Sequence, residues 1–123
     1  MKRTRILLAD DDRHMCASTN KLLGEDFDVV DIVSDGRSLV EAAFKLRPDV
    51  IVTDISMPKM NGLEAVRKIR SSFPGIKCVF LTMYGAKGYR YEAQSLGASG
   101  YVLKSSAREQ LIQVIHAAIE GSV

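Results

Sequence analysis

The feature that most narrows the possible folds is an alternation. Short runs rich in Val, Ile and Leu are each followed by a stretch of helical apolar spacing, five times over. The runs are Arg5 to Ala9, Phe27 to Val33, Val50 to Val52, Ile76 to Leu81 and Tyr101 to Leu103. They have the length and β-branched content of strands, and Val50-Ile51-Val52 lacks the polar alternation of a half-exposed one, so it reads as buried on both faces. Between the runs, Met15, Thr19, Leu22 and Leu23 repeat at helical intervals, as do Leu39, Val40, Ala43 and Phe44. So do Leu63, Val66 and Ile69, with Arg67, Lys68 and Arg70 outward, and Leu111, Ile112, Ile115 and Ile119 near the end. A weaker helix covers roughly residues 86 to 96, where Gly85, Gly88 and two tyrosines blur the start. Gly24, Pro48, Phe73-Pro74-Gly75 and the Gly97–Gly100 stretch punctuate the pattern. Ser34 or Asp35 caps the second helix, and Ser106 with Glu109 fits a capping box at the last. Repeated strand–helix units give a parallel sheet covered by helices on both faces. Five of them suit an α/β, flavodoxin-like doubly wound sandwich with strand order 2-1-3-4-5.

The length of 123 residues fits a single domain over residues 1–123 with one core. Basic and acidic residues nearly cancel, 17 against 15, which argues against a nucleic-acid groove or a membrane-surface helix. No apolar run is long enough to cross a bilayer and no secretory leader is visible, so a cytoplasmic protein is expected. Cys16 and Cys78 do not form a metal-spacing pair and read as small core residues in a reducing compartment. Lys2, Arg3 and Arg5 read as a solvated end, and His14 and His116 as surface residues.

In a parallel sheet every strand's C-terminal end lies on one edge, where ligands bind near the switch between strands 1 and 3. Asp10 and Asp11 follow the first strand, Asp54 the third, Thr82 the fourth and Lys104 the fifth. Taken singly, each has a plain structural explanation: an Asp capping a helix or turn, a strand-end Thr, a solvated Lys. Taken together, they place three carboxylates, a hydroxyl and an ammonium in one crevice. Crowded carboxylates need a proton or a cation between them. A hard divalent ion such as Mg²⁺ suits oxygen ligands and keeps room for a phosphate oxygen. Lys104 then serves as a point charge for a phosphoryl oxygen, Thr82 as a hydroxyl donor, and Asp54, alone at the middle of the edge, as the nucleophile that accepts a phosphoryl group. In such transfers the protein mostly positions groups and neutralises charge.

The chain resembles, from end to end, the receiver domains of bacterial two-component response regulators. The resemblance is carried by Leu8-Ala9-Asp10-Asp11, by Asp54 with Met57-Pro58 and Asn61-Gly62, by Leu81-Thr82, and by Gly100-Tyr101-Val102-Leu103-Lys104. It implies that Asp54 takes its phosphoryl group from a sensor histidine kinase. It implies Mg²⁺ held by Asp11, Asp54 and the Ser56 carbonyl, with Asp10 acting through water. It further implies a switch, in which the Thr82 hydroxyl moves to the phosphoryl group and the Tyr101 ring turns inward, repacking the face of the fourth helix, fifth strand and fifth helix. Ser56 and Tyr84 stand where this family tunes phosphoryl lifetime. Such a chain is a phosphoacceptor that assists its own phosphorylation and dephosphorylation rather than an enzyme.

Leu-Thr-Met-Tyr at 81–84 and Leu-Ile-Gln-Val-Ile-His-Ala-Ala-Ile-Glu-Gly at 111–121 are most similar to receivers of LuxR/NarL-type transcription factors. The resemblance then implies DNA contact only through an output domain outside these residues, and homodimer formation on phosphorylation. Ser105 departs from many receivers, which carry proline after the site lysine. Two alternatives compete. A haloacid-dehalogenase-type phosphatase also opens with a strand and Asp-x-Asp, here Asp10 and Asp12, but leaves Asp54 without a task. A non-phosphorylated pseudo-receiver does not need the intact acidic set.

Overall fold

A computed structural model describes residues 3–83 and 89–121. Its strands are β1 (Arg5–Ala9), β2 (Asp28–Val33), β3 (Val50–Thr53), β4 (Lys77–Thr82) and β5 (Gly100–Leu103). They alternate with helices α1 (Arg13–Leu23), α2 (Gly36–Leu46), α3 (Gly62–Ser72), α4 (Tyr89–Ser95) and α5 (Ala107–Ile119). The strands form one sheet in the order β2-β1-β3-β4-β5, with every neighbouring pair parallel. This is the flavodoxin-like order expected from the alternation.

Central placement explains composition. All four residues of β3 are buried, as a strand covered on both faces requires. Their side chains divide between two apolar layers. Leu7, Ile51, Cys78 and Phe80 point to the α2–α3 side and pack with Leu39, Val66 and Ile69. Ile6, Leu8, Val50, Val52 and Val79 point to the other side and meet Leu23, Leu111 and Ile115. Edge strand β2 is half-exposed throughout, and Ile32 is 39% exposed.

Several local expectations need correction. Phe44, assigned to the buried face of the second helix, is 44% exposed and stacks edge-on against Phe73 at 4.9 Å. Ile119, assigned inward on the last helix, is 37% exposed. Arg70, assigned to the solvent, is half-buried and donates to the Ile76 carbonyl at 2.6 Å. Ser106 makes no side-chain capping bond; Lys104–Ser106 form a 3-10 turn that leads into α5 instead. Nor are Arg3 and Arg5 a loose solvated end. Arg3 donates to the carbonyls of Gly24 and Phe27 at 2.8 and 3.1 Å, and Arg5 to those of Leu46 and Arg47 at the same two distances. Two cations thus satisfy carbonyls at the ends of α1 and α2, where unpaired acceptors and the helix dipole favour positive charge. The fourth helix is described from Tyr89 onward, so its earlier expected start lies outside the described residues. No helix of the described residues is long and apolar enough to cross a membrane.

Candidate functional site

The site forms where β1, β3 and β5 end. Asp54 follows β3 directly and is held by backbone on both sides: its N–H donates to the Ala9 carbonyl at 2.9 Å, and its Oδ1 accepts from the Ile55 N–H at 2.7 Å. Asp10 follows β1, is 3% exposed, and its Oδ1 accepts from the Asp12 N–H at 2.9 Å. That bond turns the chain so that Asp11 projects toward Asp54. Carboxylate oxygens of Asp10, Asp11 and Asp54 all lie within 4.8 Å of one another. Asp12 is outside this group; it caps α1, accepting from His14 N–H at 3.0 Å and Met15 N–H at 3.2 Å.

Lys104 is brought in by β5, which pairs with β4 beside β3. Its Nζ lies 2.9 Å from Asp10 Oδ2 and 3.0 Å from Asp54 Oδ2. Burial pushes the Lys104 ammonium toward neutrality, but hydrogen bonds and charge from Asp10 and Asp54 together outweigh it and raise its pKa. At Asp54, burial dominates and raises the carboxyl above its ordinary range, with Lys104 opposing and Asp10 reinforcing the rise. Three carboxylates therefore face one ammonium, an excess of two negative charges in a partly dry crevice. An all-oxygen donor set with that deficit fits a hard divalent cation. Cys78 does not belong to it: its thiol is fully buried in the apolar layer and pushed up to about 12.

The remaining sequence candidates fall at or near this edge. Thr82 ends β4 and is fully buried. Tyr101 lies on β5 opposite Phe80 and is half-buried. Ser56 is exposed and borders an open pocket of about 450 Å³ together with Asp11, Met57, Asn61 and Tyr89. Tyr84 lies outside the described residues. His14 and His116 are exposed and not part of the acidic group; His116 stacks on Phe27 at 5.1 Å. Cys16 is half-buried, its thiol donating to the Asp10 carbonyl at 3.1 Å.

The loop after Asp54 is fixed by the residues that follow it. Asn61 caps α3 in a full capping box: its side chain accepts from Glu64 N–H at 2.9 Å, and Glu64 accepts from Asn61 N–H at 3.4 Å. The Asn-x-x-Glu spacing was the available signal. Lys59 adopts a left-handed φ of 70°. Gly36, at the start of α2, passes so near this loop that an added Cβ would sit 1.9 Å from the Met60 carbonyl oxygen. Tyr89, which borders the mouth of the site from α4, had no sequence signal that separated it from a helix surface residue.

The chain is similar to known proteins in sequence and fold. Residues 6–116 match the family model of the response regulator receiver domain. The chain is 37% identical over 120 residues to the oxygen regulatory protein NreC of Staphylococcus epidermidis, covering 95% of this chain and 55% of that protein. It is 33% identical over 121 residues to the transcriptional regulatory protein DegU of Brevibacillus brevis, covering 97% and 51%. It thus spans about half the length of the curated relatives it matches. Among solved structures, a LuxR-family two-component response regulator from Aurantimonas superposes with a TM-score of 0.92 at 30% identity, covering 98% of this chain and 87% of that one.

Proposed function

This chain belongs to the response regulator receiver domain family, LuxR/NarL type, and on that premise we propose that Asp54 accepts a phosphoryl group from a sensor histidine kinase. Receiver domains of response regulators are signalling domains, so we read the chain as a phosphoacceptor that assists its own modification rather than as an enzyme with a separate substrate. The observation that carries this reading is the bridge of Lys104 Nζ between Asp10 and Asp54, with Asp11 beside them at the same edge.

The transfer breaks the N–P bond of a phosphohistidine whose second ring nitrogen carries a proton and forms an O–P bond to an Asp54 carboxylate oxygen, so the donor leaves as neutral imidazole. Asp54 is held rigidly by Ala9 and Ile55, which keeps the nucleophile in place. Lys104 exchanges its bond to Asp54 for one to a phosphoryl oxygen and neutralises charge there. Thr82 donates its hydroxyl to a second phosphoryl oxygen. Asp10, Asp11, Asp54 and the Ser56 carbonyl would hold Mg²⁺ at this edge. When bound, the ion offsets the carboxylate excess and the phosphoryl charge. Movement of Thr82 then lets Tyr101 turn inward and changes the face made by α4, β5 and α5. Ser56 and Tyr84 tune how long the phosphoryl group persists.

We further read residues 1–123 as one receiver domain whose activation favours a homodimer, with DNA reached only through an output domain outside these residues. The phosphatase reading would need Asp10 and Asp12 as its acidic pair, and Asp12 is occupied in capping α1. The test is intact mass after incubation with acetyl phosphate and Mg²⁺. One phosphoryl group is expected on the natural chain and none on Asp54→Asn. Full modification of Asp54→Asn would overturn the assignment.

A further inference from the structure

The first turn of α4 lies against Tyr101. The Arg90 guanidinium carbon lies 5.1 Å from the centroid of the Tyr101 ring, inside the range of a cation–π contact. Its neighbour Tyr89 lies close to the same phenol. Burial raises the Tyr101 hydroxyl most, Arg90 draws it back, and Tyr89 adds to the rise. Tyr89 also borders the mouth of the acidic site beside Asp11 and Ser56. Two consecutive residues therefore face, between them, both the acidic site and the aromatic ring on β5.

This helix is short and mostly exposed among the described residues. It has seven residues, of which only Ala93 is buried, and its Tyr91 is 76% exposed. Tyr101 packs at the margin of the α2–α3 layer, whereas its neighbour Val102 is buried in the opposite one. A cavity of about 170 Å³, bordered by Arg90, Ala93, Ala98 and Tyr101, lies beside the ring and leaves it room to move. Arg90 is exposed, so a ring that turns away leaves the guanidinium in water and loses the contact. The contact thus favours one ring position over the other, which is the condition for shifting an equilibrium.

We propose that Arg90 is a positioning residue for Tyr101, holding the ring in the arrangement that accompanies direct pairing of Lys104 with the Asp54 carboxylate. The proposal rests on the phosphoacceptor reading above and adds the residue that sets how readily its switch moves. An exposed cation–π contact corresponds to roughly a two- to fivefold change in population.

The test uses the full chain with ¹³C-labelled tyrosine rings, as the natural sequence and as Arg90→Ala, Arg90→Gln and Arg90→Lys. NMR follows Tyr101 before and during titration with beryllofluoride at saturating Mg²⁺. Arg90→Ala and Arg90→Gln are expected to shift the Tyr101 ring signals before any addition, and to lower the half-saturating beryllofluoride concentration roughly two- to fivefold. Arg90→Lys, which keeps a cation over the ring, is expected to stay near the natural chain, a rescue that a purely structural role would not produce. Unchanged Tyr101 signals in both neutral variants, or an unchanged or raised half-saturation, would overturn the proposal. Failure of the natural chain to bind beryllofluoride would instead overturn the phosphoacceptor reading, and the ring signals without beryllofluoride would still decide whether Arg90 holds Tyr101.

Discussion

Gly62 passes beneath Asp54 so closely that a Cβ added to it would stand 2.1 Å from the Asp54 carbonyl oxygen. The Gly62 N–H, meanwhile, donates to the Ile55 carbonyl at 2.7 Å. No side chain fits between, and the obstructing atom is backbone, which cannot rotate aside. Gly62→Ala must therefore displace the segment that carries Asp54. A loss of about 3 kcal/mol is expected in urea unfolding, the upper part of the range for overpacking, together with loss of phosphorylation by acetyl phosphate. A variant with native stability and native labelling would show that the loop yields more easily than its packing implies.

Lys104 is the only cation bonded to the Asp10 and Asp54 carboxylates among the described residues, and all three side chains are nearly buried. Lys104→Met leaves two carboxylates with their partner gone, a change that costs about 3 kcal/mol when the pair is buried. The midpoint of thermal unfolding without metal should fall by about 10 °C. Mg²⁺ at a hundredfold excess over its dissociation constant should return about 2.7 kcal/mol. Scanning calorimetry of the variant with and without Mg²⁺ checks this; equal midpoints under both conditions would contradict metal binding by the acidic group.

Asp35 caps α2, accepting from the Ser38 N–H at 2.7 Å and the Ser38 hydroxyl at 3.1 Å. The backbone bond holds its carboxyl below the usual range, against the opposing effect of burial, and Lys59 at 3.9 Å assists. A depressed folded-state pKa means the stabilisation is fully present above the unfolded value of about 3.9. It is lost as pH falls through the folded value. Asp35→Ala should cost about 1 kcal/mol at neutral pH and flatten this part of the acid limb. Parallel acid limbs for the two proteins in urea unfolding at several pH values would argue against the cap.

Arg5 joins the start of β1 to the end of α2 through its guanidinium, and its N–H donates to Asp49 Oδ2 at 2.8 Å. Arg5→Ala removes charge-assisted bonds to two carbonyls while keeping the strand. A loss of about 1–2 kcal/mol is expected in urea unfolding, with little change in Mg²⁺ affinity, because the bonds lie at the opposite end of the sheet from Asp54. Both bonds come from the single Nη1, so Arg5→Lys, which keeps a cation there, should recover part of the loss.

How much of this was legible in the chain depended on the range of the signal. Strand positions, their order and the meeting of Asp10, Asp11, Asp54 and Lys104 followed from local runs plus one topological rule. Features set by contact between distant segments did not. Ser106 had the composition of a capping box, but the chain leaves β5 through a 3-10 turn that carries Lys104 inward, and the side chain makes no capping bond. Phe44 fell on the apolar stripe of α2, yet its partner is Phe73 from α3 at the rim, so both rings stay near solvent. Arg3 and Arg5 looked free because their acceptors are carbonyls 21 to 42 positions away. Nothing in local sequence marked Tyr89 and Arg90 as neighbours of the site and of Tyr101.

Lys104 follows Asp54 by fifty positions and arrives only with the last strand. A chain interrupted before β5, by a nonsense codon or a protease, keeps every acidic residue of the crevice and loses its ammonium. Such fragments also lose Val102, Leu111 and Ile115 from one apolar layer, so the like charges at the edge meet an unfinished core.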